Sequence, residues 1–227
     1  MSAYWYLTRS TGAVALILLT LSLVIGVAAI GRFSSTHWPR FAVDAVHRTS
    51  SLLAIVFLLV HIATAVLDSF APISLLDAFV PFGGTYRPLW LGLGAISSDL
   101  LLAIAITSVL RERIGHPAWR AIHWLAYAAW PIALLHGFGT GSDAGKTWML
   151  TINLACIAAV LMSVLTRAII GWPAHIRLRL GAIGFAAMFA LGLVVWLPSG
   201  PLGKHWARRA GTPASLLSPS SAHGGHA

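Results

Sequence analysis

The sequence predicts an all-α, polytopic membrane protein with six transmembrane helices. Of its 227 residues, 58% are hydrophobic and 9% are charged, whereas charged residues make up about 25% of an ordinary soluble domain. The apolar residues are concentrated in long stretches, and about 20 apolar residues are enough for a helix to cross a bilayer. These two observations favour a membrane protein over a soluble one.

Six segments have the length and composition of a membrane span. The fourth, which carries tryptophans and histidines, is the least apolar. The predicted spans are Ala13–Ile30, Ala45–Leu67, Leu89–Leu110, Trp119–Gly137, Trp148–Ile170 and Leu180–Leu197. The expected organisation is therefore a short N-terminal segment (1–12), a transmembrane domain (13–197) and a tail (198–227) whose Pro, Gly and Ser content predicts disorder.

The longest connection between spans is Asp68–Pro88. It contains a second apolar patch at 75–80, followed by the turn residues 81–84. This pattern predicts a short interfacial helix and a turn that cover one face of the membrane.

The formal net charge of +9 indicates membrane orientation rather than nucleic-acid binding, because the basic residues lie in short loops between apolar segments. One predicted side carries Arg32, Arg40, Arg48, Arg111, Arg113, Arg120, Arg167, Arg177 and Arg179. Outside the tail, the other side carries only Arg9, Arg87 and Lys146. The positive-inside rule places the first set in the cytoplasm. We expect a multi-pass plasma-membrane protein in contact with lipid, with both termini extracytoplasmic and no nucleic-acid partner.

Four histidines lie inside predicted spans: His47 and His61 in the second, His123 and His136 in the fourth. Histidine in a membrane span is costly and usually marks function. The first two are 14 residues apart, which is about 21 Å along a helix and within about 40° of the same face. The other two are 13 apart, about 19.5 Å along the axis but about 140° off the same face. We expect Pro131, which lies between them, to distort the helix and bring the rings into line.

Two ligand pairs at matching depths predict two b haems stacked across the bilayer, each held between two histidines. In the assigned topology His47 and His123 hold the iron of an inner haem, and His61 and His136 that of an outer haem. The lone Cys156 excludes a disulfide framework, an iron–sulfur cluster and covalent haem attachment. With both axial positions filled, each haem suits electron transfer better than oxygen binding.

Other polar residues are secondary candidates. Three arginines near the haem levels are expected to bind the anionic propionates or to serve topology alone: Arg48, Arg120 and Arg87. Asp99, near the middle of the third span, fits a proton relay or a structural hydrogen bond equally well. In the tail, His223 and His226 fit weak metal binding or simple solvation.

These features resemble the ferric reductase-like transmembrane domain family. That family includes the membrane parts of ferric reductases and NADPH oxidases and the bacterial haem subunit of the methionine sulfoxide reductase system. The shared features are His47-x13-His61 and His123-x12-His136, and the stretches 81–90 and 119–127 are similar to the actinobacterial branch. The resemblance covers roughly residues 13–170. It implies a haem-binding helix bundle and an extracytoplasmic FMN-binding protein as a partner.

The chain departs from part of that family. Ferric reductases and NADPH oxidases carry a flavin and nicotinamide domain after the haem helices, where this sequence has a sixth span and a tail. Its glycine-rich string at 137–141 follows a membrane helix and lacks the strand–turn–helix context of a dinucleotide site. We therefore expect no flavin or nicotinamide site in this chain and a separate electron donor, either a flavoprotein or a quinol.

The expected function is transmembrane electron transfer to an extracytoplasmic acceptor, such as ferric iron or an FMN-binding protein, as the membrane component of an oxidoreductase. Two alternatives are a quinol-oxidising cytochrome b subunit and a non-redox transporter that uses intramembrane histidines. The transporter fits less well, because the ligands of one small ion converge within a few Å, whereas these histidines are spread over about 20 Å.

Overall fold

The structure is a computed structural model that describes residues 2–30, 39–170, 173 and 175–217. Within these ranges all regular secondary structure is helical, as predicted. The helices are α1 (Ala3–Ile30), α2 (Arg40–Leu67), α3 (Pro88–Val109), α4 (Arg111–Ile114), α5 (His116–His123), α6 (Ala126–Thr140), α7 (Thr147–Ile169), α8 (Ile176–Ser199), α9 (Trp206–Arg209) and α10 (Ala214–Leu217).

Five of these helices are long and apolar enough to cross a membrane: α1, α2, α3, α7 and α8. They correspond to five of the six predicted spans, so the multi-pass membrane fold is confirmed. The predicted span Trp119–Gly137 is instead divided between α5 and α6, which are separated at Trp124–Leu125. With 15 residues, α6 is about 22 Å long. A count of six crossings therefore stays a prediction.

The long helices pack as two antiparallel pairs, α1 with α2 and α3 with α6. α1 also contacts α6 and α7, and α7 contacts α8. The core is formed around α6, where Leu134 and Phe138 are fully buried and Trp130 is 3% exposed. The indole Nε1 of Trp130 donates a hydrogen bond of 2.8 Å to Thr20 Oγ1 in α1, which ties the two helix pairs together.

The loop between α2 and α3 lies at one end of this bundle, which we call the loop end. The predicted interfacial helix is a single 3-10 turn, Leu76–Ala78. It is attached to α3, where Ser98 Oγ donates to the Ala78 carbonyl at 3.2 Å. The start of α1 lies at the same end, since Ser2 Oγ donates to Asp68 Oδ1 at 2.7 Å.

The segment 200–217 also folds against the loop end, which differs from the disorder that its composition predicted. Its Trp206 packs on Trp90 of α3 and Trp196 of α8, with ring centres 5.3 and 5.9 Å apart. The stacking of these aromatic rings stabilises the segment against α3 and α8. Residues 218–227, with the two tail histidines, lie outside the described residues.

Candidate functional site

The four span histidines meet in two pairs. The ring centres of His47 and His123 are 6.1 Å apart, and those of His61 and His136 are 6.3 Å apart. We call these the inner pair and the outer pair, after their predicted sides of the membrane. Each pair joins α2 to the α5–α6 region. Within the described residues no three His, Cys, Asp or Glu side chains come together to form a metal site. Each site therefore offers two histidines.

A tightened turn between α5 and α6 helps to align the second histidine of each pair. Three backbone N–H groups between 122 and 128 bond to the carbonyl three residues back instead of four: Leu125 to Ile122, Tyr127 to Trp124 and Ala128 to Leu125. Such 3-10 geometry turns about 120° per residue instead of 100°. Each residue in this geometry adds about 20° of rotation, so the tightened turn reduces the predicted 140° mismatch.

The predicted distortion at Pro131 is not found there. α6 carries Pro131 without a break, and the tightened turn lies six residues earlier, at Trp124–Leu125. The carbonyl that the proline ring crowds, four residues back, is that of Tyr127, so Pro131 does not account for the tightened turn.

Three of the four histidines are held by the same kind of hydrogen bond. In each, Nδ1 lies against a backbone carbonyl oxygen of a neighbouring helix: His47 against Ser22 at 2.9 Å, His61 against Thr8 at 2.7 Å and His136 against Trp90 at 2.9 Å. A carbonyl oxygen only accepts, so Nδ1 carries the proton. The lone pair of Nε2 is then left for a metal.

A glycine lies four residues after each of these carbonyls: Gly26 after Ser22, Gly12 after Thr8 and Gly94 after Trp90. In an α-helix the carbonyl of residue i points towards residue i+4, so a side chain there would stand in the way of the imidazole. We call such a carbonyl and its glycine a glycine notch. A Cβ added at the glycine would lie 3.3 Å from His47 Cε1, 3.0 Å from His61 Cε1 and 2.5 Å from His136 Cε1.

The glycine notches were missed by sequence reasoning, although the sequence carries a signal for two of them. Gly12 and Gly26 are 14 residues apart, the same spacing as His47 and His61. A glycine inside a helix lowers the stability of the helix by about 1 kcal/mol relative to alanine. Its presence therefore suggests that another group approaches the helix backbone closely at that position.

His123 differs from the other three. Its Nδ1 is buried and has no hydrogen-bond partner among the described residues. Its ring is instead stacked on Trp119, with ring centres 5.0 Å apart. It is also the last residue of the short helix α5.

A cavity of about 270 Å³ lies beside the outer pair. Its walls are mostly apolar and come from α1, α2, α3 and α6, and it is lined by both His61 and His136. Arg9 also lines it and forms an ion pair with Asp143. Sequence reasoning used Arg9 only for membrane orientation and missed its position in the wall of this cavity. An arginine inside the first apolar helix is the signal that could have identified it.

The three predicted arginines have different surroundings. Arg48 and Arg120 are exposed, and their side chains have no hydrogen-bond or ion-pair partner within the part of the chain that the structure describes. They stay candidates for an anionic group at the inner pair. Asp99, at the middle of α3, is half-buried and likewise has no such partner among the described residues.

Arg87 has partners other than the haem propionate that we expected. It is 5% exposed, and its guanidinium donates to the carbonyls of Gly139 and Thr140 at 3.0 Å and to Thr212 Oγ1 at 2.9 Å. Carbonyls at a helix C-terminus lack intrahelical donors and attract cations. Burial lowers the pKa of the Arg87 guanidinium, which still stays protonated at physiological pH. Arg87 therefore joins the end of α6 to the C-terminal segment.

Comparison with known proteins finds one family. A family profile described as "Ferric reductase like transmembrane component" matches residues 11–134, just over half of the chain. The matched range contains His47, His61 and His123, and His136 lies two residues beyond it. No curated protein and no solved structure shows a significant similarity to the chain.

Proposed function

The chain belongs to the ferric reductase-like transmembrane family, and we propose that it carries electrons across a membrane through two b haems, one in each histidine pair. The observation that supports this is the separation of the ring centres, 6.1 and 6.3 Å. Two metal–nitrogen bonds of about 2 Å, with about 1 Å from each nitrogen to its ring centre, separate two axial imidazoles by about 6 Å. The ring centres of each pair are therefore as far apart as those of two imidazoles that would bind one iron between them.

A bound haem would supply a one-electron iron couple. The protein holds the ligands in place and sets their electronic character. At His47, His61 and His136, the hydrogen bond from Nδ1 to a carbonyl selects the tautomer with a free Nε2 and raises the basicity of the ring. The surrounding apolar helices exclude water, which further influences the reduction potential.

The two pairs define a route through the bundle. The 14-residue spacing of His47 and His61 separates the pairs by about 21 Å along α2. We propose that electrons arrive from a separate donor, a flavoprotein or a quinol, and leave from the outer pair to an extracytoplasmic acceptor such as ferric iron or an FMN-binding protein. The cavity beside the outer pair supports an exit at that end.

The haem content of purified protein tests this proposal. A pyridine haemochrome assay is expected to give about two non-covalent haems per chain. His47→Ala and His123→Ala should lose the same haem and give similar spectra, and His61→Ala and His136→Ala should both lose the other. One haem or none in the unmodified protein, or a different grouping of the four variants, would contradict the proposal.

The direction of transfer needs sealed right-side-out vesicles whose haems have been reduced from inside. An impermeant external acceptor, ferric chelate or FMN protein, should reoxidise them, and more slowly in His61→Ala and His136→Ala. If external acceptors leave the haems reduced and a quinone analogue reoxidises them, the chain is the quinol-oxidising cytochrome b subunit.

A further inference from the structure

The segment 200–217 contacts both elements that hold His136 in place. The imidazole of His136 donates through Nδ1 to the Trp90 carbonyl of α3, and its backbone lies in the last turns of α6. The ring of Trp206 packs on that of Trp90, with ring centres 5.3 Å apart. Its indole Nε1 also donates to the carbonyl of Gly139 at 3.2 Å, and Gly139 lies three residues after His136.

Trp90 and Gly139 bring α3 and α6 into direct contact. A Cβ added at Gly139 would lie 2.1 Å from Trp90 Cδ2, so the indole lies directly on the backbone of α6. The last turn of α6 and Trp90 are therefore coupled by close packing, and both determine where the imidazole of His136 lies.

Arg87 connects the segment to the same two elements. Its guanidinium joins the last turn of α6 to Thr212. Its backbone N–H donates to the carbonyl of Gly211 at 3.0 Å, and its φ of 43° is a left-handed conformation that few residues other than glycine adopt. Since Arg87 lies three residues before Trp90, the segment fixes the start of α3 together with the end of α6.

Gly211 allows the segment to approach α3 this closely. Its φ of 90° favours glycine, and a Cβ there would lie 3.1 Å from Cδ of Pro88, the first residue of α3. An alanine at this position would strain the backbone and push the segment away from Arg87.

We propose that the segment 200–217 is a positioning element for the outer haem, which acts on His136 through Trp90 and the last turn of α6. This inference rests on the proposed function. Neither Trp206 nor Arg87 lines the cavity beside the outer pair, so both are positioning residues. Metal–ligand distances tolerate only about 0.2 Å, and loss of the hydrogen bond from the second ring nitrogen of a ligand typically weakens metal binding about 10- to 100-fold.

The test compares the two haems within one protein in the variants Trp206→Ala and Gly211→Ala. Transfer of the outer haem to excess apomyoglobin should become about 10- to 100-fold faster, and transfer of the inner haem should not change. Trp206→Phe keeps the ring packing but loses the N–H that bonds to Gly139, so its rate should lie between. Gly145→Ala is the matched control, because Gly145 lies in the loop after α6 and a Cβ there meets only Leu202 Cδ2, at 3.8 Å.

Electron paramagnetic resonance of the oxidised protein reports the positions of the ligands directly. The g values of a low-spin ferric haem depend on the angle between the planes of its two axial imidazoles. This angle is 84° in the outer pair and 73° in the inner pair. A variant that moves His136 should shift the signal of the outer haem alone, and the histidine variants described above assign each signal to its haem.

The outcomes separate the two proposals. Fewer than two haems in the unmodified protein would contradict the proposed function itself. A faster transfer, a shifted signal or a loss confined to the outer haem supports the inference. No change, or the same change in both haems, overturns only the inference, because the segment would then stabilise the bundle as a whole. If Trp206→Ala and Gly211→Ala lose all haem, the same criteria are applied to Trp206→Phe.

Discussion

Replacing Gly94 with alanine is expected to remove the outer haem. The new Cβ would lie 2.5 Å from Cε1 of His136, whereas ordinary contacts between non-bonded carbon atoms are about 3.5 Å or longer. The ring must therefore retreat by about 1 Å. It then loses its hydrogen bond to Trp90, worth about 1 kcal/mol net. Metal–ligand distances tolerate only about 0.2 Å, so the displaced imidazole no longer binds iron in place.

The three notches provide a graded series. The equivalent Cβ is 3.0 Å from His61 Cε1 in Gly12→Ala and 3.3 Å from His47 Cε1 in Gly26→Ala. The retreat needed is then about 0.5 Å and about 0.2 Å. Haem loss should therefore be complete or nearly so in Gly94→Ala, partial in Gly12→Ala and slight in Gly26→Ala.

The assay is haem content by pyridine haemochrome, together with the reduced absorbance spectrum. Gly184→Ala is the matched control, because Gly184 lies in α8, which carries none of the four histidines, and a Cβ there meets nothing within 4 Å. This control should keep both haems and gain up to about 1 kcal/mol from the higher helix propensity of alanine. Full outer haem with an unchanged spectrum in Gly94→Ala would refute the notch as the reason for glycine at this position.

Three further predictions concern the scaffold and its orientation. Thr20→Val leaves the buried Trp130 Nε1 without an acceptor and should lower the free energy of unfolding by about 1–3 kcal/mol, measured by thermal melting in detergent, while the exposed Thr151→Val should not. Arg87→Met should release the C-terminal segment, so that trypsin cleaves it sooner than in the unmodified protein or in Lys146→Met. A C-terminal alkaline phosphatase fusion should be active, because the rule of positive inner loops places both termini outside the cytoplasm; an active cytoplasmic reporter instead would reverse the topology.

Much of the fold and the grouping of the histidines follow from two local properties of the chain, the length of its apolar stretches and the rise per residue of a helix. Apolar stretches of span length identified five membrane helices, because crossing a bilayer requires a minimum number of apolar residues. The rise per residue of a helix sets the depth of each histidine. His47 and His61 could therefore be assigned to two levels from their spacing alone, and His123 and His136 to the same two levels. Haem binding by these pairs stays a prediction until it is measured.

Other features depend on contacts between distant segments. Arg87, the only basic residue of its loop, was a candidate for a haem propionate or for topology alone. Its actual partners are the end of α6 and Thr212, which is 125 residues away. The fold of the segment 200–217 was not predicted for a similar reason. Its Pro, Gly and Ser content predicts disorder, but composition does not show that Trp206 contacts Trp90 and Trp196.

The sequence by itself determined the class of the protein, the spans and the depth of each histidine, because composition and helix rise are local properties. Only the tertiary structure decided which carbonyl the Nδ1 of His47, His61 and His136 reaches and where the α5–α6 region tightens. A hydrogen bond between two helices requires a matched register and rotation of both. Contacts spread along their whole length set this register and rotation.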